Sequence, residues 1–242
     1  MAGKDSLALL ERGEIPPRYQ RNSGTIGIAG QIRLLQARVA VVGAGGLGGN
    51  VIELLARQGV GFIRIIDGDR FEPHNLNRQL FATHHTLGMN KALVAAARVA
   101  EVNSDVQTHA IPEMLAEHNA ETLLDGMEVV VDALDSIACR LLLSQTAQKL
   151  KIPLVHAAIA GFTGQVGTIL PDGPGLDKVY PTNIPSGKGI ETLLGTPGPT
   201  PALAAAIQTQ EVVKILTGIG QTLAGKLFYF DIGLNIYEIL LL

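Results

Sequence analysis

A chain of 242 residues, 47% hydrophobic, with 19 Lys and Arg against 22 Asp and Glu, can bury a sizeable core as one large domain. Its formal charge of -3 is spread along the chain with few aromatics, which excludes the basic stripe and stacking platforms of a nucleic-acid binder. A mean hydropathy of +0.27 is high, yet Gly, Pro and polar residues break every long uncharged stretch well short of a membrane span, so no membrane segment is expected. The start, "MAGKDSLALLERGEI", offers only "LALL" as an apolar run, too short for a signal-peptide core, and the lone Cys139 allows no internal disulfide. The expectation is a cytoplasmic protein.

In chain order, near-continuous apolar runs at 38–42, 62–67, 128–134 and 153–159 read as strands covered on both faces. Helical patterns at 47–59, 90–102 and 137–150 lie between them. Strand and helix alternating in this way predict an α/β, Rossmann-like, doubly wound and mainly parallel sheet. After residue 159 the pattern changes. A Gly-, Pro- and Thr-rich loop, 185–201, precedes a helix over 202–216, and "KLFYFDIGLNIYEILLL" closes the chain as a hairpin or two edge strands. A loop of that length is usually a lid or binding segment, with a plain surface loop as the alternative.

The first motif, "GAGGLG", puts Gly43, Gly45, Gly46 and Gly48 after a strand and at the opening of a helix. There, backbone N–H groups can approach a nucleotide at the helix N-terminus; the alternative is a close packing turn without a ligand. Asp67, 19 residues beyond Gly48 at the end of the second strand, is placed to accept hydrogen bonds from a ribose. At this level NAD and ATP fit equally.

The loop "DGDRFEPHNLNRQ" separates them. Asn75 and Arg78 lie three residues apart, and Lys91 falls in the first turn of the next helix, where the macrodipole already presents positive charge. A bound phosphate would remove that conflict. The plainer uses are a solvent-screened lysine for Lys91 and a salt bridge to Asp67 or Asp69 for Arg78. In "VVVDALDS", Asp132 and Asp135 stand beyond the third strand. Asp135 reads either as a magnesium ligand or as a helix N-cap. A glycine loop surrounded by Asp, Arg and Lys describes phosphoryl or nucleotidyl transfer better than hydride transfer.

These residues carry a resemblance. "RYQRN" at 18–22, "GAGGLG", "DGDRFEPHNLNRQ", the Lys of "GMNKALV" and "DALDS", in this order, resemble the ThiF/MoeB/HesA family, bacterial relatives of the adenylation domain of ubiquitin-activating enzymes. The resemblance implies a single adenylation domain over 1–242, with an N-terminal arm to about 36, a nucleotide-binding core over 37–160, and a crossover loop and C-terminal part over 161–242. It implies a homodimer that uses ATP and Mg²⁺ to adenylate the C-terminal glycine of a ubiquitin-like sulfur carrier of the ThiS/MoaD kind, for thiamin or molybdenum/tungsten cofactor sulfur transfer. In this reading Gly43, Gly45, Gly46, Gly48, Asp67, Asp69 and Gln79 bind the nucleotide, with Asp67 on the ribose. Asn75, Arg78 and Lys91 face the phosphates, Asp135 holds Mg²⁺, and Arg21 reaches the partner subunit's ATP. Asn22 stands where the family usually has Gln.

No general base is required, because a carboxylate is already ionised at neutral pH; His74 is expected to be an ordinary loop residue. Many relatives bind a structural zinc through two Cys-x-x-Cys pairs, the first of which would fall near 178–182. One Cys provides no such set, so no zinc is expected. Nor does 188–201 carry the cysteine that forms a covalent link with the carrier in some relatives. Cys139, four residues after Asp135, reads as a small apolar residue more readily than as a reactive thiol. The rival classes are an NAD(P)-dependent oxidoreductase and a non-catalytic nucleotide-binding scaffold.

Overall fold

Strands covered on both faces need two helical layers, and the computed structural model, which describes residues 2–180 and 189–242, has them. The elements in chain order are α1 (Ala2–Glu11), α2 (Gln20–Gln36), β1 (Arg38–Val42), α3 (Gly46–Gln58), β2 (Phe62–Ile66), α4 (Lys91–Val102), β3 (Gln107–Ile111), α5 (Ala120–Leu124), β4 (Val129–Asp132), α6 (Ile137–Lys149), β5 (Leu154–Ala160), β6 (Thr163–Ile169), α7 (Glu191–Leu194), α8 (Pro199–Thr217), β7 (Lys226–Asp231) and β8 (Ile236–Leu241). They form one eight-stranded sheet in the order β3-β2-β1-β4-β5-β6-β7-β8. The first five strands are parallel and the last three pair antiparallel, as expected for a doubly wound fold with added antiparallel strands.

Successive side chains of a strand point to opposite faces, and here both faces are apolar. Val39 and Val41 of β1, with Ile63 and Ile65 of β2, pack against α3, α4 and α8 through Leu55, Ala95 and Val212. Ala40 and Val42 join Val130 and Leu154 against α5 and α6 through Leu124 and Leu143. The runs are continuous because neither set of positions faces water.

Boundaries moved for local reasons. Gly59 is not the end of α3 but its left-handed cap, at φ 81°, and Asn90 caps α4 by accepting from the Leu93 N–H at 3.1 Å. Strand β4 stops at Asp132, because its carboxylate turns back to accept from the Leu134 N–H at 3.0 Å. The loop expected over 185–201 is partly helical: α7 lies within it and α8 starts three residues before the expected helix, on Pro199 at its first position. Residues 185–188 of that loop lie outside the described residues.

Besides α1 in the N-terminal arm, five elements have no clear signal in the sequence. The polar edge strand β3 and the Gly-rich β6 are two of them; α5 and α7 are a turn or so long. Helix α2 is the fifth, broken at Gly27, where φ 65° and ψ 178° leave the helical region. Ahead of it, the buried Tyr19 hydroxyl donates to Asp105 Oδ2 at 2.9 Å and accepts from Asn103 Nδ2 at 3.1 Å. Among the described residues no helix is long and apolar enough to cross a membrane.

Candidate active site

The chain runs outward from β1 to β3, then returns to place β4 on the other side of β1. Parallel sheets of this kind leave a crevice at the carboxyl ends where the order reverses. A cavity of about 340 Å³ opens there, within the range of small-molecule sites.

The glycine loop forms one side, and its glycines divide into two kinds. Gly43 has φ 98°, and a Cβ on it would lie 2.5 Å from the Ala133 carbonyl oxygen; a Cβ on Gly48 would lie 1.8 Å from Gly43 O. Both let β1, α3 and the β4 loop approach closely. Gly45 and Gly46 face the cavity, toward Gln79 and Arg78, and Gly43 lines it as well. Gly48 does not line it. Helix α3 begins at Gly46 with no side-chain cap and no acidic residue in its first turn, so its first N–H groups are open to an anion.

The second side is the turn from β2 to α4. Asp67 is buried, accepting from the Ala44 N–H at 2.7 Å and the Asp69 N–H at 2.8 Å. Burial pushes its carboxyl up, while the Ala44 N–H and the Lys91 charge pull it down. Lys91, with a side chain 9% exposed, reaches Asp69 Oδ2 at 3.0 Å, and the Asn90 amide donates to both Asp67 O and Asp69 O at 3.0 Å. Lys91 is therefore a buried, paired cation rather than a screened surface lysine.

The third side follows β4. Asp135 is exposed at the cavity wall, and the helix cap position belongs to Ser136, which makes no side-chain cap bond. The N-cap reading of Asp135 therefore does not hold. Arg140, 8% exposed in the first turn of α6, donates to Leu134 O from Nε at 3.1 Å and Nη2 at 2.5 Å.

Arg78 closes the rim. It donates to His74 O and Asn77 Oδ1, both at 2.9 Å, and not to Asp69, which Lys91 holds. Burial works against its charge and Asp135, across the cavity, works for it. Gln79 is 7% exposed, and its Oε1 has no hydrogen-bond partner among the described residues, an orphan of the kind a ligand satisfies. The far end is apolar, lined by Val42, Ile66, Met114, Leu115 and Leu134, with Glu113 beside them.

Two expected site residues, Asn75 and the Arg21 expected at the partner's ATP, are not among those that line the cavity. Asn75 is 2% exposed, and its side-chain Oδ1 accepts from the Glu72 N–H at 3.0 Å. Arg21 is exposed on α2. Arg18, three residues before it, donates to Val102 O at the far end of α4, about 16 Å along that helix from Lys91 at eleven steps of 1.5 Å. Cys139 is half-buried on α6 and off the cavity wall. His74 lines the wall as a loop residue, 3.2 Å from Glu72. Of the stretch 178–182 that bears on zinc, residues 181 and 182 lie outside the described residues.

Sequence reading missed Glu113, Met114 and Leu115, which follow the unforeseen β3, and it missed Arg140. The signal for Arg140 was present, since it is a cation in the first turn of a helix, as Lys91 is. One exposed carboxylate beside cations suits a Mg²⁺ ion that takes its other ligands from phosphates and water. Among the described residues no group of three His, Cys, Asp or Glu could hold a metal unaided.

Residues 19–241 match the ThiF family. The SAMP-activating enzyme E1 of Haloferax volcanii is 38% identical over 217 residues, covering 88% of this chain and 80% of that protein. The sulfur carrier protein adenylyltransferase of Thermus thermophilus is 38% identical over 223 residues, covering 88% and 82%. Among solved structures, E. coli MccB with MccA-N7isoASN superposes with a TM-score of 0.82 at 21% identity, covering 93% of this chain and 71% of that one; at that identity it speaks for the fold alone.

Proposed function

The chain belongs to the ThiF family, and on that premise we propose that it uses ATP to adenylate the C-terminal glycine carboxylate of a small ubiquitin-like sulfur-carrier protein. The observation that carries this reading is the meeting of Arg78, Lys91 and Asp135 with the uncapped start of α3 around one cavity. An NAD(P)-dependent oxidoreductase would use the glycine loop and Asp67 but has no need of that set. A non-catalytic scaffold would not need to keep it.

The base occupies the apolar end, between Ile66, Met114, Leu115 and Leu134, and the triphosphate lies along the α3 N-terminus toward Arg78, Gln79 and Lys91. The carrier's carboxylate oxygen attacks the α-phosphorus; an O–P bond forms, the bond to the β-phosphate oxygen breaks, and pyrophosphate leaves with its electron pair. No proton has to be removed, because the attacking group is already ionised. Attacker and triphosphate are both anionic, so the residues' main task is to neutralise and orient them. Arg78 and Lys91 do this with fixed charge in a partly water-excluded site. Asp135 would hold a bound Mg²⁺, which neutralises the triphosphate.

ATP–pyrophosphate exchange tests the reading. Exchange is expected only with a carrier ending in Gly-Gly and is lost when that terminus is amidated. A chain that binds NADH and not ATP would refute it.

Arg21 is exposed on α2 and does not line this chain's own cavity, which supports a homodimer in which it completes the partner's site. Arg21→Ala and Asp135→Ala chains, each inactive alone, are then expected to regain exchange when mixed. Full activity from a monomer would reject shared sites.

A further inference from the structure

The proposed chemistry leaves unused a buried polar cluster behind the β4 wall. Parallel pairing of β4 with β5 sets the Asp132 and His156 Cα atoms side by side, and both side chains are 0% exposed. Asp132 Oδ2 lies 2.7 Å from His156 Nδ1. On the other side of the ring, His156 Nε2 lies 3.2 Å from the Tyr180 hydroxyl, and the two rings meet edge to face at 5.6 Å. The same hydroxyl receives Arg140 Nη1 at 2.7 Å and Gln165 Nε2 at 3.2 Å.

One assignment of protons suits every contact. Asp132 accepts from His156 Nδ1–H; His156 is neutral, and its Nε2 accepts from the Tyr180 O–H; the Tyr180 oxygen accepts from Arg140 and Gln165. Burial, the largest influence, pushes the His156 pKa down, against the pull of Asp132 and with the push of Arg140.

The cluster ends on a single residue. Asp132 Oδ1 accepts from the Leu134 N–H at 3.0 Å, and Arg140 holds the Leu134 carbonyl with two nitrogens. Both main-chain polar atoms of Leu134 are thus held from one network. The Leu134 carbonyl belongs to the peptide that leads into Asp135, so its orientation sets where that carboxylate points. A network buried this deeply is costly unless its members are paired, and pairing makes its geometry rigid.

We propose that Asp132, His156 and Tyr180 form a positioning relay that sets Arg140 and, through it, the Leu134–Asp135 peptide carrying the magnesium carboxylate. The proposal rests on the reading of Asp135 given above. Tyr180 is the distinctive member, because one hydroxyl joins the strand side of the cluster to Arg140. Tyr180→Phe keeps the ring against His156 and deletes the hydroxyl's bonds to His156, Arg140 and Gln165.

The test is calorimetric titration of a non-hydrolysable ATP analogue, with Mg²⁺ and with chelator. Tyr180→Phe is expected to weaken binding about tenfold in Mg²⁺, as losses of residues behind a metal ligand do, and to leave binding in chelator at the wild-type value. Equal affinity to wild type in Mg²⁺, or equal loss in both conditions, overturns the proposal. Arg140→Lys keeps the charge but cannot span Leu134 O and Tyr180 together; should Tyr180→Phe fail to fold, this variant is expected to lose more affinity in Mg²⁺ than in chelator, and an equal loss in both overturns the proposal. Independently of both variants, ¹⁵N NMR of the wild-type protein is expected to find His156 neutral with its proton on Nδ1 at pH 7; an Nε2–H tautomer or an imidazolium overturns the relay. A wild-type chain that binds no nucleotide would instead refute the adenylation reading, so the two failures are distinct.

Discussion

The cavity's two acidic walls are built alike and end differently. On each, the Asp that terminates a strand is buried and serves the scaffold: Asp67 after β2 holds the Ala44 and Asp69 N–H groups, and Asp132 at the end of β4 holds Leu134 and His156. On each, a second Asp two or three residues later faces the cavity. Asp69 is met at 3.0 Å by the buried Lys91. Asp135 meets Arg78 across the cavity, and Arg140, on the helix that follows it, is turned onto Leu134 O. A carboxylate already neutralised is a poor place for a dication, and one held open is a good place. The walls therefore divide the work, with cation against phosphate on the β2 side and carboxylate for the metal on the β4 side.

The largest expected effect separates the two exposed acids. Asp135→Ala, like Arg78→Ala, is expected to lower pyrophosphate exchange by about 10²-fold or more. Asp69→Asn leaves the Lys91 charge in place and removes a pair whose acid is half-exposed, so exchange is expected to stay within about tenfold of wild type. Equal losses at Asp69 and Asp135 would erase the distinction between the walls.

A smaller effect tests the scaffold role. Asp67→Asn offers one acceptor where two N–H donors converge, and leaving one of them unpaired costs about 1–3 kcal/mol. Relief of the buried charge offsets part of that, so urea unfolding at pH 7 is expected to report a loss near the low end. A variant as stable as wild type that fails only in nucleotide binding would make Asp67 a ribose ligand first and a scaffold residue second.

How far the site could be read in advance differs between these residues. Lys91 stood out because it is a cation at the positive end of a helix, and Asp67 and Asp135 because they follow strand ends. Asn75 was legible in part: its place beside an Arg in a loop marked it, but the hold of its side-chain Oδ1 on the Glu72 N–H was not visible. Arg140 obeyed the same rule as Lys91 and was passed over, since nothing near it in the chain showed that Leu134 O and Tyr180 would be its partners. Strand β3 was illegible for another reason. As an edge strand with a mixed burial pattern it lacks the continuous apolar run of β1 or β4, and the cavity residues that follow it were lost with it.

By itself the sequence determined the alternation of strand and helix, the doubly wound sheet, the glycine loop and the identities of the charges around it. Each of these depends on periodicity, helix polarity or strand ends, all of which act over a few residues. Only the tertiary structure decided which of those charges are available. His156 lies 24 residues from Asp132, and Tyr180 lies 40 from Arg140. Strand pairing and the packing of the 176–180 segment on α6 bring them together, and no local pattern records a hydrogen bond made across that distance.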